Sequence, residues 1–374
     1  MDSIGVLREV SKRDGVSGRI TDVLREASLL VGEDLQFLET ELYDACRDAP
    51  GTLSEICRHI LESGGKHIRP VLCLLSFKAL GGTDPLPIDL ASTCELLHNA
   101  TLLHDDVIDE GDSRRGRPSA RIRYSNALSV LGGDYLLVKT VARVAAREPI
   151  FMQHYLWTME RIVEGELVQL LRRGSIDTTE AEYFKIIEGK TAGLFRWSVL
   201  SGALAAGADE ADCETIAGFG NHVGIAFQLM DDILDFTADP KLLGKNLLAD
   251  ISEGKMTLPV ILAAEKSPAV KPLLSQLNAA ESPEILRKTS GRIAEAVRDL
   301  GTADTVRDRA ELARTVVGLY FERRRLQLER DLLGEADLGR EIRIAELEAL
   351  LDAFTDGAFR RMIGSLERRA SGKP

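Results

Sequence analysis

Residues 18–48 read GRITDVLREASLLVGEDLQFLETELYDACRD, with apolar residues at three- and four-residue steps. That period lays an apolar stripe along one side of a helix, so the stretch predicts a long amphipathic α-helix. Pro50-Gly51 breaks it. The same pattern returns at 67–80, 88–109, 124–147, 151–172, 180–188, 191–206, 210–237 and 259–266, and the chain is again helical and heavily charged beyond 280. Breaks fall at Gly81–Pro85, Gly111–Pro118, Gly174-Ser175, Gly207 and Asp239–Gly254. Alternating β-branched runs are nearly absent. The expectation is an all-α chain forming one large helical bundle. Residues 1–17 read as a loose tail and 18–374 as a single domain, because no Pro- or Ser-rich linker divides them.

Composition narrows the function. The 374 residues are 44% hydrophobic and 28% charged, which suits a packed core and excludes a disordered or fibrous chain. Acidic residues outnumber basic ones, 59 to 47, for a net charge of −12, which argues against a nucleic-acid partner. Five cysteines (Cys46, Cys57, Cys73, Cys94, Cys213) are scattered without CxxC spacing and read as core residues in a reducing, cytoplasmic setting. The N-terminus shows no signal-peptide core. The most apolar run, 198–208, has about half the length of a membrane span.

Residues 102–109 read LLHDDVID. Residues four apart on a helix differ by about 40° around the axis, so Asp105, Asp106 and Asp109 crowd one face. Their repulsion is relieved by a divalent cation, and carboxylate oxygens with substrate phosphates suit Mg²⁺. An acidic helix end facing water is the plainer reading of one such cluster. A second copy, QLMDDILDF at 228–236, weakens it: Asp231, Asp232 and Asp235 repeat the spacing, with Gln228 one turn earlier. Two such helices facing each other would form a cleft of six carboxylates holding several divalent cations and a polyanionic ligand.

Basic residues cluster near these motifs. In GGKHIRP (64–70), Lys66 and Arg69 flank a predicted helix N-terminus, where backbone N–H groups favour an anion. Arg114 and Arg115 follow the first aspartate cluster and suit either an internal ion-pair patch or a phosphate. His98 lies seven residues before Asp105, about 20° from its direction. Lys190-Thr191 opens a helix of small apolar residues, and Lys245 and Lys255 follow the second cluster, each after a glycine.

Together these residues resemble the trans-isoprenyl diphosphate synthases, the polyprenyl synthetase family. The likeness runs from Gly64 to Pro259 through GGKxxRP, LLHDDVID, RRGRPS, GDYLL, GKTA, QLMDDILD and GKMTLP. It implies a single all-α bundle around a deep central cavity, a homodimer, and head-to-tail joining of isopentenyl diphosphate to an allylic diphosphate. It implies Mg²⁺ anchored by Asp105, Asp109, Asp231 and Asp235, with Asp106, Asp232 and Lys190 also catalytic. It implies an isopentenyl diphosphate site of Lys66, Arg69, His98 and Arg115, and an allylic site of Arg114, Lys190, Thr191, Gln228, Lys245 and Lys255. Leu248 stands where the family commonly has Gly, and the region after about 280, with Arg323-Arg324-Arg325, is divergent. Ala100 and Thr101, one turn before Asp105, leave room for a growing chain, as in octaprenyl and heptaprenyl diphosphate synthases. A long product implies transient membrane contact for its delivery.

Competing readings are a short-chain (farnesyl or geranylgeranyl) diphosphate synthase, a class I terpene cyclase, a regulatory subunit of a heteromeric synthase, and a di-iron carboxylate bundle. QLMDDILD, GGKHIRP and RRG argue against the cyclase. The complete aspartate set argues against the regulatory subunit. The absence of Glu-x-x-His pairs argues against the di-iron site.

Overall fold

A computed structural model describes residues 34–65, 67–83, 85–237 and 248–311, with positions 313, 318 and 322. Lys66, Lys245, the 1–17 tail, the first half of the predicted 18–48 helix and Arg323–Arg325 lie outside the described residues. The described chain runs α1 (Asp34–Arg47), α2 (Gly51–Glu62), α3 (Ile68–Ala79), α4 (Ile88–Ile108), β1 (Ser113–Arg114), β2 (Arg117–Pro118), α5 (Ala120–Arg123), α6 (Asn126–Ala145), α7 (Pro149–Arg172) and α8 (Glu180–Ile187). A π-turn (Glu188–Ala192) leads into α9 (Gly193–Ala205) and α10 (Glu210–Thr237). Then come α11 (Ala249–Ser252), α12 (Leu258–Lys266), α13 (Val270–Asn278) and α14 (Pro283–Asp299), and residues 302–311 are again helical.

Local chemistry sets the boundaries. Thr179 and Glu182 form a reciprocal capping box at the start of α8. The Ser125 and Ser282 hydroxyls accept the Leu128 and Ile285 amides at the starts of α6 and α14. Proline opens α7 and α14, where its missing N–H costs nothing.

Three differences from the sequence reading have simple causes. Helix α2 lies just past the expected break at Pro50-Gly51. Pro50 is extended (ψ 127°) and serves as the N-cap of a new helix that buries Ile56, Cys57, Ile60 and Leu61. Helix α13 is short and falls outside the predicted helices. The expected gap at 189–190 is bridged by the π-turn, a wider turn that is frequent at functional sites.

Helix α4 is the axis of the molecule. Twelve of its 21 residues are buried, so it is enclosed on most sides rather than amphipathic. It packs with α3, α6 and α9 in a core that includes Leu96, Leu97, Leu103, Tyr155 and Trp197. A second core joins α8, the π-turn, α10 and α12 through Tyr183, Ile187, Ile225, Leu229 and Leu258. A third unites α11 to α14 around Val260, Leu274 and Ile293. The cysteines are all free. Four are buried as expected, and Cys213 is half-buried.

Candidate active site

A cleft of about 1700 Å³ is lined by residues from both aspartate helices, the GGKHIRP turn, the hairpin, α7 and the π-turn. The first aspartate cluster occupies the C-terminal end of α4 and the second that of α10, and neither last turn carries a basic residue. Carboxylates there face the negative end of the helix dipole, so the charge must be offset from elsewhere.

At α4 the offset comes from several elements. Lys190 Nζ lies 3.3 Å from Asp105 and 2.5 Å from Glu166 of α7. Arg114 grips the buried Asp106 with Nε at 3.0 Å and Nη2 at 2.7 Å. Asp109 meets Lys255 at 2.8 Å and is also paired with Arg173. Burial would raise the Asp109 pKa, but Lys255, Lys190 and Arg173 hold it below the usual carboxylate value. For Asp106 the balance is reversed: burial keeps its pKa raised despite Arg114. Burial lowers the Lys190 pKa, yet Asp105 and Glu166 leave it raised, so this side chain is firmly cationic.

The second cluster is arranged differently. Asp231 is exposed and lines the cleft. Asp232 is 2% exposed, and its two oxygens accept the Tyr183 hydroxyl at 2.6 Å and the Gln228 amide at 2.8 Å. Burial, with Asp250 and Asp231 nearby, raises its pKa, while the Tyr183 and Gln228 hydrogen bonds to the carboxylate act to lower it. Gln228 in turn accepts the Thr191 hydroxyl at 2.9 Å. Asp235 does not line the cleft: its carboxylate accepts the Ala249 amide at 3.3 Å, anchoring the start of α11.

The basic part of the cleft is built on the start of α3. His67, left-handed at φ 45°, is the N-cap, and its Nδ1 lies 3.2 Å from Glu95 of α4. Glu95 is 3% exposed and, among the described residues, acts on His67, Arg69, His98 and Arg115 alike. Burial alone would raise its pKa, but the hydrogen bond and charge of His67, with Arg69 nearby, bring it to about 2. Burial, with Arg69 adding, holds His98 well below the imidazole range, so His98 is neutral. Arg69 stacks 4.8 Å over Phe195, and its Nε is buried with no hydrogen-bond partner among the described residues. Arg115 reaches this group from the hairpin turn, where Arg115 (φ 51°) and Gly116 (φ 76°) both take positive φ, as a two-residue turn of the I′ type requires. The Gly65 backbone runs between the Arg115 guanidinium and Glu95, where an added Cβ would lie 3.3 Å from each.

The donor set suits Mg²⁺. Among the described residues no three His, Cys, Asp or Glu side chains converge closely enough to hold a metal by themselves. Mg²⁺ commonly binds through one or two carboxylates plus substrate phosphates and water, which Asp105, Asp109 and Asp231 on opposing walls permit.

Of the residues singled out in the sequence, Arg69, His98, Thr101, Asp105, Asp106, Asp109, Arg114, Arg115, Lys190, Thr191, Gln228, Asp231, Asp232 and Lys255 line this one cleft. Asp235 does not, and Ala100 is fully buried in the core around α4. Glu95, Glu166, Arg173 and Tyr183 were missed. Glu95 was the easiest to find: a carboxylate in the apolar middle of its helix, three residues before His98 and so on its face. Glu166, Arg173 and Tyr183 carry no comparable spacing signal.

Residues 50–293 match the model of the polyprenyl synthetase family. A nonaprenyl diphosphate synthase of Rhodobacter capsulatus, described as geranyl-diphosphate specific, is 38% identical over 239 residues, covering 63% of this chain and 73% of that one. Component 2 of the Bacillus subtilis heptaprenyl diphosphate synthase is 35% identical over 294 residues, covering 76% of this chain and 84% of that one. Among solved structures, a polyprenyl synthase from Caulobacter crescentus, complexed with calcium and isoprenyl diphosphate, superposes with a TM-score of 0.72 at 31% identity, covering 77% of this chain and 88% of that one.

Proposed function

This chain belongs to the polyprenyl synthetase family and is a trans-prenyltransferase, and from that premise we propose the division of labour in its cleft and a long-chain product. The observation that supports the division is the pairing of opposites in one cavity: two aspartate-bearing helix ends, and a basic cluster around the buried carboxylate Glu95.

In this reading Asp105, Asp109 and Asp231 anchor Mg²⁺ with the allylic diphosphate, and Lys190, Arg114 and Lys255 contact that diphosphate. When bound, Mg²⁺ supplies positive charge that stabilises the departing diphosphate, worth several kcal/mol of barrier. Lys190 already sits between Asp105 and Glu166, so it neutralises charge on the same oxygens without reorganising. Asp106, buried and gripped by Arg114, orients that arginine rather than holding metal. Arg69, His98 and Arg115 take the isopentenyl diphosphate, whose charge satisfies the Arg69 Nε and the surplus of cations over Glu95. Cleavage of the allylic C–O bond sends its electron pair to diphosphate and leaves an allylic cation. The alkene of isopentenyl diphosphate attacks that cation, and the departed diphosphate takes the proton that restores the double bond. Leu102, Leu137, Met159, Ile162 and Leu194 line the cleft and exclude water from the cation.

The growing chain passes Thr101, which lines the cleft, toward Leu137 and Met159. The wall it follows is open to the outside: Val163, Leu167 and Leu170 of α7 both line the cleft and are exposed. Val130, Leu131, Val138 and Val141 extend this apolar surface onto α6. A second copy of the chain covers it in the homodimer we assign, which sedimentation should show as twice the chain mass. No helix among the described residues is long and apolar enough to cross a membrane, and a cytoplasmic location fits the free cysteines.

The deciding experiment is incubation with radiolabelled isopentenyl diphosphate, Mg²⁺ and farnesyl diphosphate, followed by sizing of the products. Products longer than geranylgeranyl diphosphate are expected. A reaction that stops at geranylgeranyl diphosphate would overturn the long-chain reading.

A further inference from the structure

Three hydrogen bonds run in series from the core to the cleft wall. The Tyr183 hydroxyl of α8 donates to Asp232 Oδ2 at 2.6 Å. The Gln228 Nε2, one turn earlier on α10, donates to Asp232 Oδ1 at 2.8 Å. The Thr191 hydroxyl, in the π-turn, donates to Gln228 Oε1 at 2.9 Å. Tyr183 and Asp232 are buried, while Gln228 and Thr191 are half-buried on the cleft wall.

The series has a direction. A primary amide presents a donor end and an acceptor end, and only the NH₂ end can face a carboxylate acceptor. Both Asp232 oxygens accept in this structure, so the NH₂ end of the Gln228 amide faces Oδ1 and its carbonyl oxygen faces Thr191. The Thr191 proton is then committed to that carbonyl, so the hydroxyl offers lone pairs, not a proton, to anything beyond it. Lone pairs stabilise a developing cation, and a proton in the same place would oppose it. Asp232 keeps its orientation because its second oxygen is held by Tyr183, which ties α8 to α10 across the π-turn.

We infer that Tyr183 is a positioning residue for the ionisation step, acting through Asp232 to aim the Gln228 amide and the Thr191 hydroxyl at the allylic cation. This rests on the prenyltransferase reading and adds a residue with no part in holding either diphosphate, since its hydroxyl is spent on Asp232. It also gives the middle aspartate of the second motif an orienting role, distinct from that of the exposed Asp231.

The test is steady-state kinetics on Tyr183→Phe, Gln228→Ala and the double variant, with both substrates and Mg²⁺ varied. Tyr183→Phe should lower kcat about tenfold, less than the 10²–10³ typical of removing a direct electrostatic contact. The KM values for both diphosphates and the Mg²⁺ requirement should stay within about twofold, as for lost transition-state stabilisation alone. In the Gln228→Ala background Tyr183→Phe should cost nothing further, because the two act in series. Unchanged kcat, a rise confined to KM, or losses that multiply in the double variant would each overturn the inference while leaving prenyl transfer intact. A wild type that does not elongate at all would remove the reading beneath it, and the inference with it. Should Tyr183→Phe fold poorly, Asp232→Asn and Asp232→Leu give the same answer at matched melting temperature. Asn keeps an acceptor for Gln228 and a donor for the Tyr183 oxygen, so its kcat should exceed that of the Leu variant about tenfold, on the scale of a positioned polar contact. Equal losses would overturn the inference.

Discussion

The two halves of the cleft are built on opposite ends of helices. The acidic half lies at the C-termini of α4 and α10, with aspartates where the backbone dipole is already negative. The basic half lies at the N-terminus of α3, where the dipole favours an anion, and surrounds a buried carboxylate with Arg69, Arg115 and two histidines. Both halves run against their own electrostatics, but their deficits differ. In the acidic half Arg114, Arg173, Lys190 and Lys255 reach in from four separate places, and Asp231 still faces the cleft. In the basic half Glu95 pairs with His67, and the Arg69 Nε has no hydrogen-bond partner among the described residues. On the proposed reading, one half gathers cations first and an anion through them. On the same reading, the other takes an anion directly.

The largest expected effect lies in the acidic half. Asp105→Ala or Asp231→Ala should lower turnover by about 10³-fold or more, the loss of several kcal/mol of charge stabilisation, with helical circular dichroism intact. Near-normal turnover at saturating Mg²⁺ would break the contrast at its root. Next comes the substrate split. Arg69→Ala should raise the isopentenyl diphosphate KM by roughly 10- to 100-fold, the value of a charge-assisted contact, with a smaller change for the allylic substrate, and Lys190→Ala should do the reverse. Calorimetry in EDTA sharpens this: isopentenyl diphosphate should still bind, and the allylic diphosphate should not. Equal weakening of both ligands would erase the distinction between the halves.

A smaller effect concerns the path between the halves. Thr101→Tyr should give an active enzyme with a shorter main product, read by sizing the products at fixed substrate ratio. Ala100→Phe should instead cost about 1–3 kcal/mol of stability by overpacking, because Ala100 is fully buried and does not line the cleft. The least visible effect belongs to Glu95. Its pKa falls from 4.5 to about 2 on folding, so its contribution to stability is complete above pH 4.5 and is lost as pH falls through the folded value. Denaturant unfolding in metal-free buffer should show Glu95→Gln less stable than wild type at neutral pH, with the gap narrowing below pH 4.5. A gap independent of pH would mean that Glu95 acts by packing alone.

The helices and the chemistry were legible in sequence for one reason: both depend on residues close together in the chain. Apolar spacing marks helices, and DDxxD spacing places three carboxylates on one helical face, whatever surrounds it. Signals of that kind located most of the cleft-lining residues named in advance. Residues that act across distance left no local trace. Glu166 answers Lys190, Arg173 answers Asp109 and Tyr183 answers Asp232, each joining separate elements.

The two aspartate motifs separate the contributions most clearly. Sequence alone determined that each would crowd carboxylates onto a helix end, because 3.6 residues per turn leaves no alternative at that spacing. It could not say which carboxylate would face solvent, which would be buried and which would leave the cleft. Tertiary packing decided that: Arg114 and the hairpin cover Asp106, Tyr183 and Gln228 enclose Asp232, and the start of α11 draws Asp235 away. Desolvation and hydrogen-bond partners set what a carboxylate can do, and both are supplied by residues distant in the chain, so identical motifs acquire different roles only once the bundle has closed around them.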